Sequence, residues 1–172
     1  KVLGALKEED SWLLSTAALS LLLEVQQELA SDLSALTDQT GGKPSTSSGD
    51  WAIPGDYTKD LVRQITLLGP ANGPALVRGL NSSADSYIAS VDRFLAPTWA
   101  RVVDAQIQLR DAISGVLVVA ENDGFASMSN LNPPELSFGP RSLLSREEHV
   151  EIDGAPVSAG LFDVVVFAAH NF

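Results

Sequence analysis

The residues best suited to acid–base chemistry lie near the end of the chain, around one histidine. The only two histidines are His149 and His170. An imidazole beside carboxylates can transfer protons near neutral pH, and several carboxylates together can hold a hard cation. The carboxylates close to His149 in the sequence are Glu147, Glu148, Glu151 and Asp153. In a strand, Glu148 would point away from His149, and charge runs commonly protect an edge strand. We therefore favour a solvated edge, with a cation site and an acid–base site as alternatives.

Two glycine-containing segments resemble ligand-binding loops but lack residues that such loops require. In Gly41–Ser45 (GGKPS), a phosphate loop would need glycine at Thr37 and a hydroxyl residue at Pro44. In Glu121–Gly124 (ENDG), a calcium loop would need acidic residues at Val119 and Asn130. The sequence therefore predicts no phosphate site and an ordinary turn at the second segment.

The remaining polar residues show no catalytic pattern. The absence of cysteine excludes thiol catalysis and thiolate metal sites, and no serine has a nucleophile context. Arg93, Arg101 and Arg110 are expected on the central helices, where their spacing turns them to different faces and favours ion pairs with nearby aspartates. Asn81-Ser82-Ser83 matches the acceptor pattern for N-glycosylation. The sequence predicts no catalytic residue, cofactor or metal.

Composition narrows the possible classes of protein. The chain has 172 residues, 45% of them hydrophobic and 19% charged, with a net charge of −11. This acidity argues against nucleic acid or an anionic membrane as a general partner, although nucleic acid stays possible within a coat assembly. Residues 11–23 carry no charge. They are too few for a membrane span and lack the basic flank of a signal peptide. We predict a buried or assembly-facing helix there and no membrane span.

Helical spacing of apolar residues dominates the first two thirds of the chain. It predicts a long helix over about 8–37, a flexible loop at 38–56, a helix over 57–68 and a third helical region at 74–95 that is either one kinked helix or two short ones. A fourth helix is expected from Thr98 to about Val116, where a β-branched run could change to a strand.

The last third of the chain has a different pattern. Residues 121–147 are rich in proline and glycine and predict mostly loop. Asp153-Gly154 predicts a hairpin turn, and Leu161–Ala168 (LFDVVVFA) predicts a strand. The predicted fold is mainly α: one domain, 1–172, forming a bundle of about four helices. The helical part is 8–119, and a small antiparallel β element lies at 149–169.

One segment resembles a known family. Trp99–Ala120 (WARVVDAQIQLRDAISGVLVVA) is similar to the long right-hand helix of tobamovirus coat proteins, through an Arg-Val-Val-Asp-Ala run followed by Arg-Asp-Ala-Ile. The resemblance covers about 22 residues. It implies a helix here and a coat-protein function, and it assigns no residue roles.

The large share of apolar residues leads to two hypotheses about function, and the cluster around His149 leads to a third. The first is a non-enzymatic, self-associating structural protein, such as a virus coat or filament subunit, in a virion or outside the cell. Its predicted assembly interface consists of Trp12, Leu13, Leu19, Leu23, Phe162, Val164 and Val166. The second is a secreted helical module that binds a lipid-like ligand in its bundle, similar to extracellular hydrophobic-surface-binding proteins of fungi. The third is an enzyme that uses the cluster around His149.

Overall fold

The computed structural model describes residues 1–39, 63–121 and 124–172. Nearly all of the predicted loop at 38–56 and half of the predicted helix at 57–68 lie outside these ranges. The fold is mixed α/β, with 44% helix and 24% strand, so the prediction of a mainly α bundle is wrong. In chain order the elements are a 3₁₀ helix (Glu8–Leu14), α1 (Thr16–Glu28), α2 (Ala30–Gln39), β1 (Thr66–Pro70), α3 (Gly73–Leu80), β2 (Ser86–Ser90), α4 (Trp99–Ile113), β3 (Val118–Glu121), β4 (Gly124–Ser127), β5 (Glu135–Gly139), β6 (Arg146–Ile152), β7 (Ala155–Ser158) and α5 (Ala159–Asn171).

A three-stranded parallel sheet organises the middle of the chain. Its strand order is β1-β2-β5, with Thr66 opposite Ser86 and Ser86 opposite Glu135. Helix α3 connects β1 to β2, while α4 and the β3–β4 hairpin lie between β2 and β5. Parallel strands need such crossover connections, and alternation of strands with helices is the signature of an α/β fold.

The central strand was predicted as helix. The third helical region begins as expected at Gly73, where the Asn72 side chain accepts a hydrogen bond from the Ala75 amide at 3.0 Å, but it ends at Leu80. Residues 86–90 form β2, where Tyr87 and Ala89 are buried. Hydrogen bonds to neighbouring strands on both sides determine that this segment is a strand. A periodicity pattern contains no information about such non-local pairing.

The predicted first helix is divided into three pieces. Ser15 ends the 3₁₀ helix and caps α1, since its hydroxyl accepts a hydrogen bond from the Ala18 amide at 3.2 Å. Leu29 separates α1 from α2. Serine competes for backbone hydrogen bonds in this way, which makes it a frequent helix start.

The fourth helix and the change to a strand after it are confirmed. Helix α4 covers Trp99–Ile113, and Val118–Glu121 forms β3, paired with β4. The prediction of mostly loop for 121–147 misses two strands, because this range contains β4 and β5.

The C-terminal segment contains one confirmed and one wrong prediction. Asp153 and Gly154 have φ values of 53° and 79° and connect β6 to β7, as the hairpin signal predicts. Residues 161–168, predicted as a strand, belong to α5. The Ser158 hydroxyl accepts a hydrogen bond from the Leu161 amide at 3.4 Å at the start of this helix. Helix α5 then packs against α1 and α4 in the core. In the described ranges, no helix is both long and apolar enough to cross a membrane.

Candidate functional site

The carboxyl edge of the parallel sheet is the first feature of a possible site. The three strands end there in register, with Pro70, Ser90 and Gly139 side by side. Backbone hydrogen bonds extend this edge, from the Ala71 amide to the Ser90 carbonyl at 3.0 Å and from the Val91 amide to the Gly139 carbonyl at 2.9 Å. In open α/β sheets, ligands bind outside the carboxyl ends of the strands. The segments that follow β1, β2 and β5 are therefore the places to look for functional side chains.

Two exposed charged residues, Asp92 and Arg93, follow the central strand. The Ser90 hydroxyl accepts a hydrogen bond from the Arg93 amide at 3.2 Å, which fixes the turn after β2. The prediction that Arg93 lies on a helix is wrong, because residues 91–95 are bends between β2 and α4. Arg93 thus presents an exposed guanidinium beside the carboxyl edge.

A buried ionic network follows β5. The Arg141 guanidinium donates to Asp163 through Nε at 2.9 Å and Nη2 at 2.7 Å, and to Glu147 through Nη1 at 2.8 Å. The backbone amide of Arg141 also donates to Asp163, at 2.9 Å. The three side chains are only 5%, 0% and 3% exposed in the order Arg141, Asp163, Glu147. The network joins the end of β5 to β6 and α5, so it fixes three elements at one point.

Burial and hydrogen bonding oppose each other in this network. Burial raises the pKa of Glu147, but hydrogen bonds from Arg141 and His149 outweigh it, so this pKa lies below its ordinary value. Burial also raises the pKa of Asp163, and there the hydrogen bonds and charge of Arg141 only partly offset it. Burial lowers the pKa of Arg141, but the hydrogen bonds and charges of Asp163 and Glu147 raise it by more, so this pKa lies above its ordinary value. Each group therefore depends on the others to stay charged away from water.

His149 is attached to the network, whereas its other acidic neighbours in the sequence are not. Its Nδ1 lies 2.7 Å from Glu147 Oε1, and its backbone amide donates to the same oxygen at 3.0 Å. Glu148 and Asp153 are exposed and Glu151 is half-buried. The interpretation of the whole cluster as a solvated edge is therefore wrong for Glu147. Sequence reasoning missed Arg141 and Asp163. The available signal was an aspartate inside the apolar run 161–168.

Other residues singled out in the sequence have structural partners. Arg110 pairs with Asp111 at 2.6 Å, as expected for an ion pair, and its guanidinium lies 3.9 Å from the Trp12 ring centroid. The Asn81 side chain donates to the Ser127 carbonyl at 2.9 Å and accepts from the Ser129 amide at 2.8 Å. Asn81 thus ties the end of α3 to the chain after β4.

The residues of the predicted assembly interface divide into two groups. Leu13, Phe162 and Val166 are buried in the core of this chain. Trp12 and Leu19 are half-buried, and Leu23 and Val164 are exposed. Self-association stays a prediction, and the first three residues make their contacts within the chain.

The lowered pKa of Glu147 predicts an acid-dependent loss of stability. A carboxylate whose pKa falls on folding stabilises the protein at pH values above its pKa in the unfolded chain, which is ordinarily 4.5. This contribution disappears as the pH falls through the pKa of the same group in the folded protein. We expect Glu147→Gln to lower the free energy of unfolding by about 1–3 kcal/mol at neutral pH. The difference from wild type should shrink as pH falls below 4.5. Urea unfolding at several pH values measures it, and a difference that does not depend on pH would contradict the prediction.

The chain is similar to malate synthases over most of its length. It is 30% identical to malate synthase A of Escherichia coli over 152 residues, which is 88% of this chain and 28% of that protein. It is 34% identical to malate synthase of Myxococcus xanthus over 72% of this chain and 23% of the relative. Glyoxysomal malate synthase of Candida tropicalis is 33% identical over 68% of this chain and 22% of the relative. No family model matches the chain.

These similarities overturn the predicted function. The proteins that this chain resembles are enzymes, so the prediction of a non-enzymatic coat or filament subunit is wrong. The lipid-binding alternative falls with it. The chain spans about a quarter of the length of the curated relatives that it matches.

Proposed function

We propose that this chain forms part of a malate synthase. The observation that carries the proposal is the similarity to malate synthase A of Escherichia coli over 88% of the chain. The parallel sheet supports it, because it gives the chain a carboxyl edge of the kind at which α/β proteins bind ligands. On this proposal the chain contributes to formation of malate within a larger catalytic unit.

Arg93 is the group that we propose for contact with a carboxylate of the reaction. Malate is a dicarboxylate, and a guanidinium binds a carboxylate through two parallel hydrogen bonds. Arg93 is exposed immediately after the central strand, and the hydrogen bond between its amide and Ser90 fixes the turn that carries it. Arg78 is also exposed but lies in the last turn of α3, after that helix has crossed back towards the amino edge of the sheet.

The test is malate formation by the full protein that contains this chain, with the Escherichia coli enzyme as the positive control. Formation of malate by the wild-type protein supports the proposal. We expect Arg93→Met to lower kcat/KM about 10-fold to 100-fold, since a charged hydrogen-bond pair to substrate contributes about 1.5–3 kcal/mol. Arg78→Met removes an exposed guanidinium at the opposite edge and should leave kcat/KM unchanged.

Two outcomes would contradict these statements separately. A folded wild-type protein that forms no malate refutes the proposed function. An active protein in which Arg93→Met and Arg78→Met have equal effects retains the function but removes Arg93 from the site. Circular dichroism of each variant shows whether the fold is preserved.

A further inference from the structure

A small groove lies between residues 5–10 and helix α4, and we call it the α4 groove. Its volume is about 230 Å³. One wall consists of four α4 residues that are three or four positions apart and so share one face of the helix: Ala100, Val103, Asp104 and Ile107. Residues 5–7 and Asp10 form the other wall.

Hydrogen bonds fix the two walls relative to each other. The Trp99 indole N–H donates to the Ala5 carbonyl at 2.8 Å and so holds the first wall against the start of α4. The Asp10 amide donates to the Lys7 carbonyl at 3.0 Å, at the start of the 3₁₀ helix. The groove is therefore formed before anything occupies it, which lowers the cost of binding.

The floor of the α4 groove is apolar. Val103 belongs to the core, and Leu6 and Ile107 are half-buried and pack against the core. An occupant that covers these side chains removes their apolar surface from water, which favours binding. The floor is therefore suited to a short hydrocarbon chain.

Each wall of the groove carries one carboxylate. Asp10 lies on the wall formed by the N-terminal residues, and Asp104 lies on the α4 wall. Within the described ranges, neither carboxylate forms an ion pair. Asp104 accepts one long hydrogen bond, from the Gln108 side-chain amide at 3.4 Å. Both carboxylates are thus available to a cation that enters the groove.

The charge around the groove is negative. Residues 5–10 and 100–107 carry two basic and four acidic side chains, which gives these two ranges a net charge of −2. Lys7 is one of the basic residues and also lines the groove, but its ammonium lies 3.7 Å from Glu9 and its side chain is 77% exposed. This surface therefore attracts a positive charge.

We propose that the α4 groove binds an arginine or lysine side chain that a basic segment of a partner protein presents. These side chains combine an apolar stem, which matches the floor, with a cationic head, which matches Asp10 and Asp104. Pockets for small-molecule ligands usually enclose about 300–1,000 Å³, so a groove of about 230 Å³ is suited to a single side chain.

The rest of the partner segment contributes contacts outside the groove. A single cation in so small a groove gains too little to offset the freedom of movement that it loses on binding, so it has to be part of a larger surface. A second copy of this chain is a poor occupant, because each copy has a net charge of −11 and like charges repel.

Fluorescence anisotropy of a rhodamine-labelled peptide, Ala-Leu-Arg-Leu-Ala with an amidated carboxyl end, tests the proposal on the full protein that contains this chain. The matched control peptide has citrulline in place of arginine, which preserves the shape of the side chain and removes its charge. We expect the arginine peptide to bind about tenfold more tightly than the citrulline peptide, because only its head forms charged hydrogen bonds with the two carboxylates.

Variants of the protein locate the binding. Asp10→Asn/Asp104→Asn should raise the Kd of the arginine peptide about tenfold. Glu28→Gln/Asp32→Asn is the matched control, because it changes the net charge by the same amount at exposed positions outside the groove. It should bind the arginine peptide as the wild type does.

A further variant fills the groove without changing any charge. Ala100 is exposed, so Ala100→Phe preserves the core while its ring occupies the space of the partner side chain, and binding should be lost. Circular dichroism shows whether each variant is folded.

Three results would overturn the proposal. If the arginine and citrulline peptides bind equally, or if the two double variants have equal effects, the groove carboxylates do not select a cation. If Ala100→Phe binds as the wild type does, the peptide lies outside the groove. If the arginine peptide does not bind to the folded wild-type protein, the groove does not accept a basic segment.

Discussion

Replacing Asp163 with Asn should lower the free energy of unfolding by about 3–5 kcal/mol, the cost of breaking a buried ion pair by removing one partner. The substitution preserves the shape of the side chain but removes the charge that faces Arg141. Asp163 is fully buried and accepts three hydrogen bonds from Arg141. The guanidinium would remain away from water, with Glu147 as its remaining ionic partner in the network. Urea unfolding followed by circular dichroism measures the loss.

An exposed ion pair provides the matched control. Lys7 and Glu9 lie 3.7 Å apart, and both side chains are 77% exposed. Glu9→Gln should therefore change stability by less than about 1 kcal/mol. The double variant Arg141→Met/Asp163→Asn should lose less than the sum of its two single variants, because the interaction between Arg141 and Asp163 is lost only once. Equal effects of Asp163→Asn and Glu9→Gln on the free energy of unfolding would show that burial of the network does not determine its contribution to stability.

This network could not be predicted from the sequence because its members are not close in it. Arg141 and Asp163 are 22 residues apart, and burial of the pair depends on α5 packing behind the end of β5. Local signals did predict the start of α3, most of α4 and the turn at Asp153-Gly154, because each is decided within a few residues. By contrast, β2 depends on two neighbouring strands, so its own pattern is insufficient.

The C-terminal helix shows how composition misleads when burial is extensive. Its β-branched run from Val164 to Val166 has high strand propensity, and the sequence pattern favoured a strand. Its burial pattern is helical instead, with Leu161, Phe162, Val165 and Val166 buried and Val164 exposed. Tertiary packing of this face outweighs the modest cost of β-branched residues in a helix. For the same reason Phe162, expected at an assembly interface, lies in the core.

Phe162→Ala should consequently reduce stability by about 3–5 kcal/mol, the usual cost of removing a fully buried aromatic ring. Phe162 has no exposed surface, and its ring centroid lies 5.8 Å from that of Trp99. The missing ring would leave a cavity between α5 and α4, which the surrounding backbone can only partly fill. The urea midpoint should fall while the dependence of the unfolding free energy on urea stays the same.

Phe125 is the matched control, since the same substitution there removes a ring that is 83% exposed on β4. Phe125→Ala should change stability by no more than about 0.5 kcal/mol. Sedimentation velocity distinguishes the core role of Phe162 from the interface role first predicted for it. A core residue changes unfolding without changing the assembly state of the folded protein. An interface residue would shift the sedimentation coefficient while leaving the unfolding of the separated subunit unchanged. That second outcome would place Phe162 at a surface, and it would contradict the packing of α5 against α1 and α4 in a fold where Phe162 is fully buried.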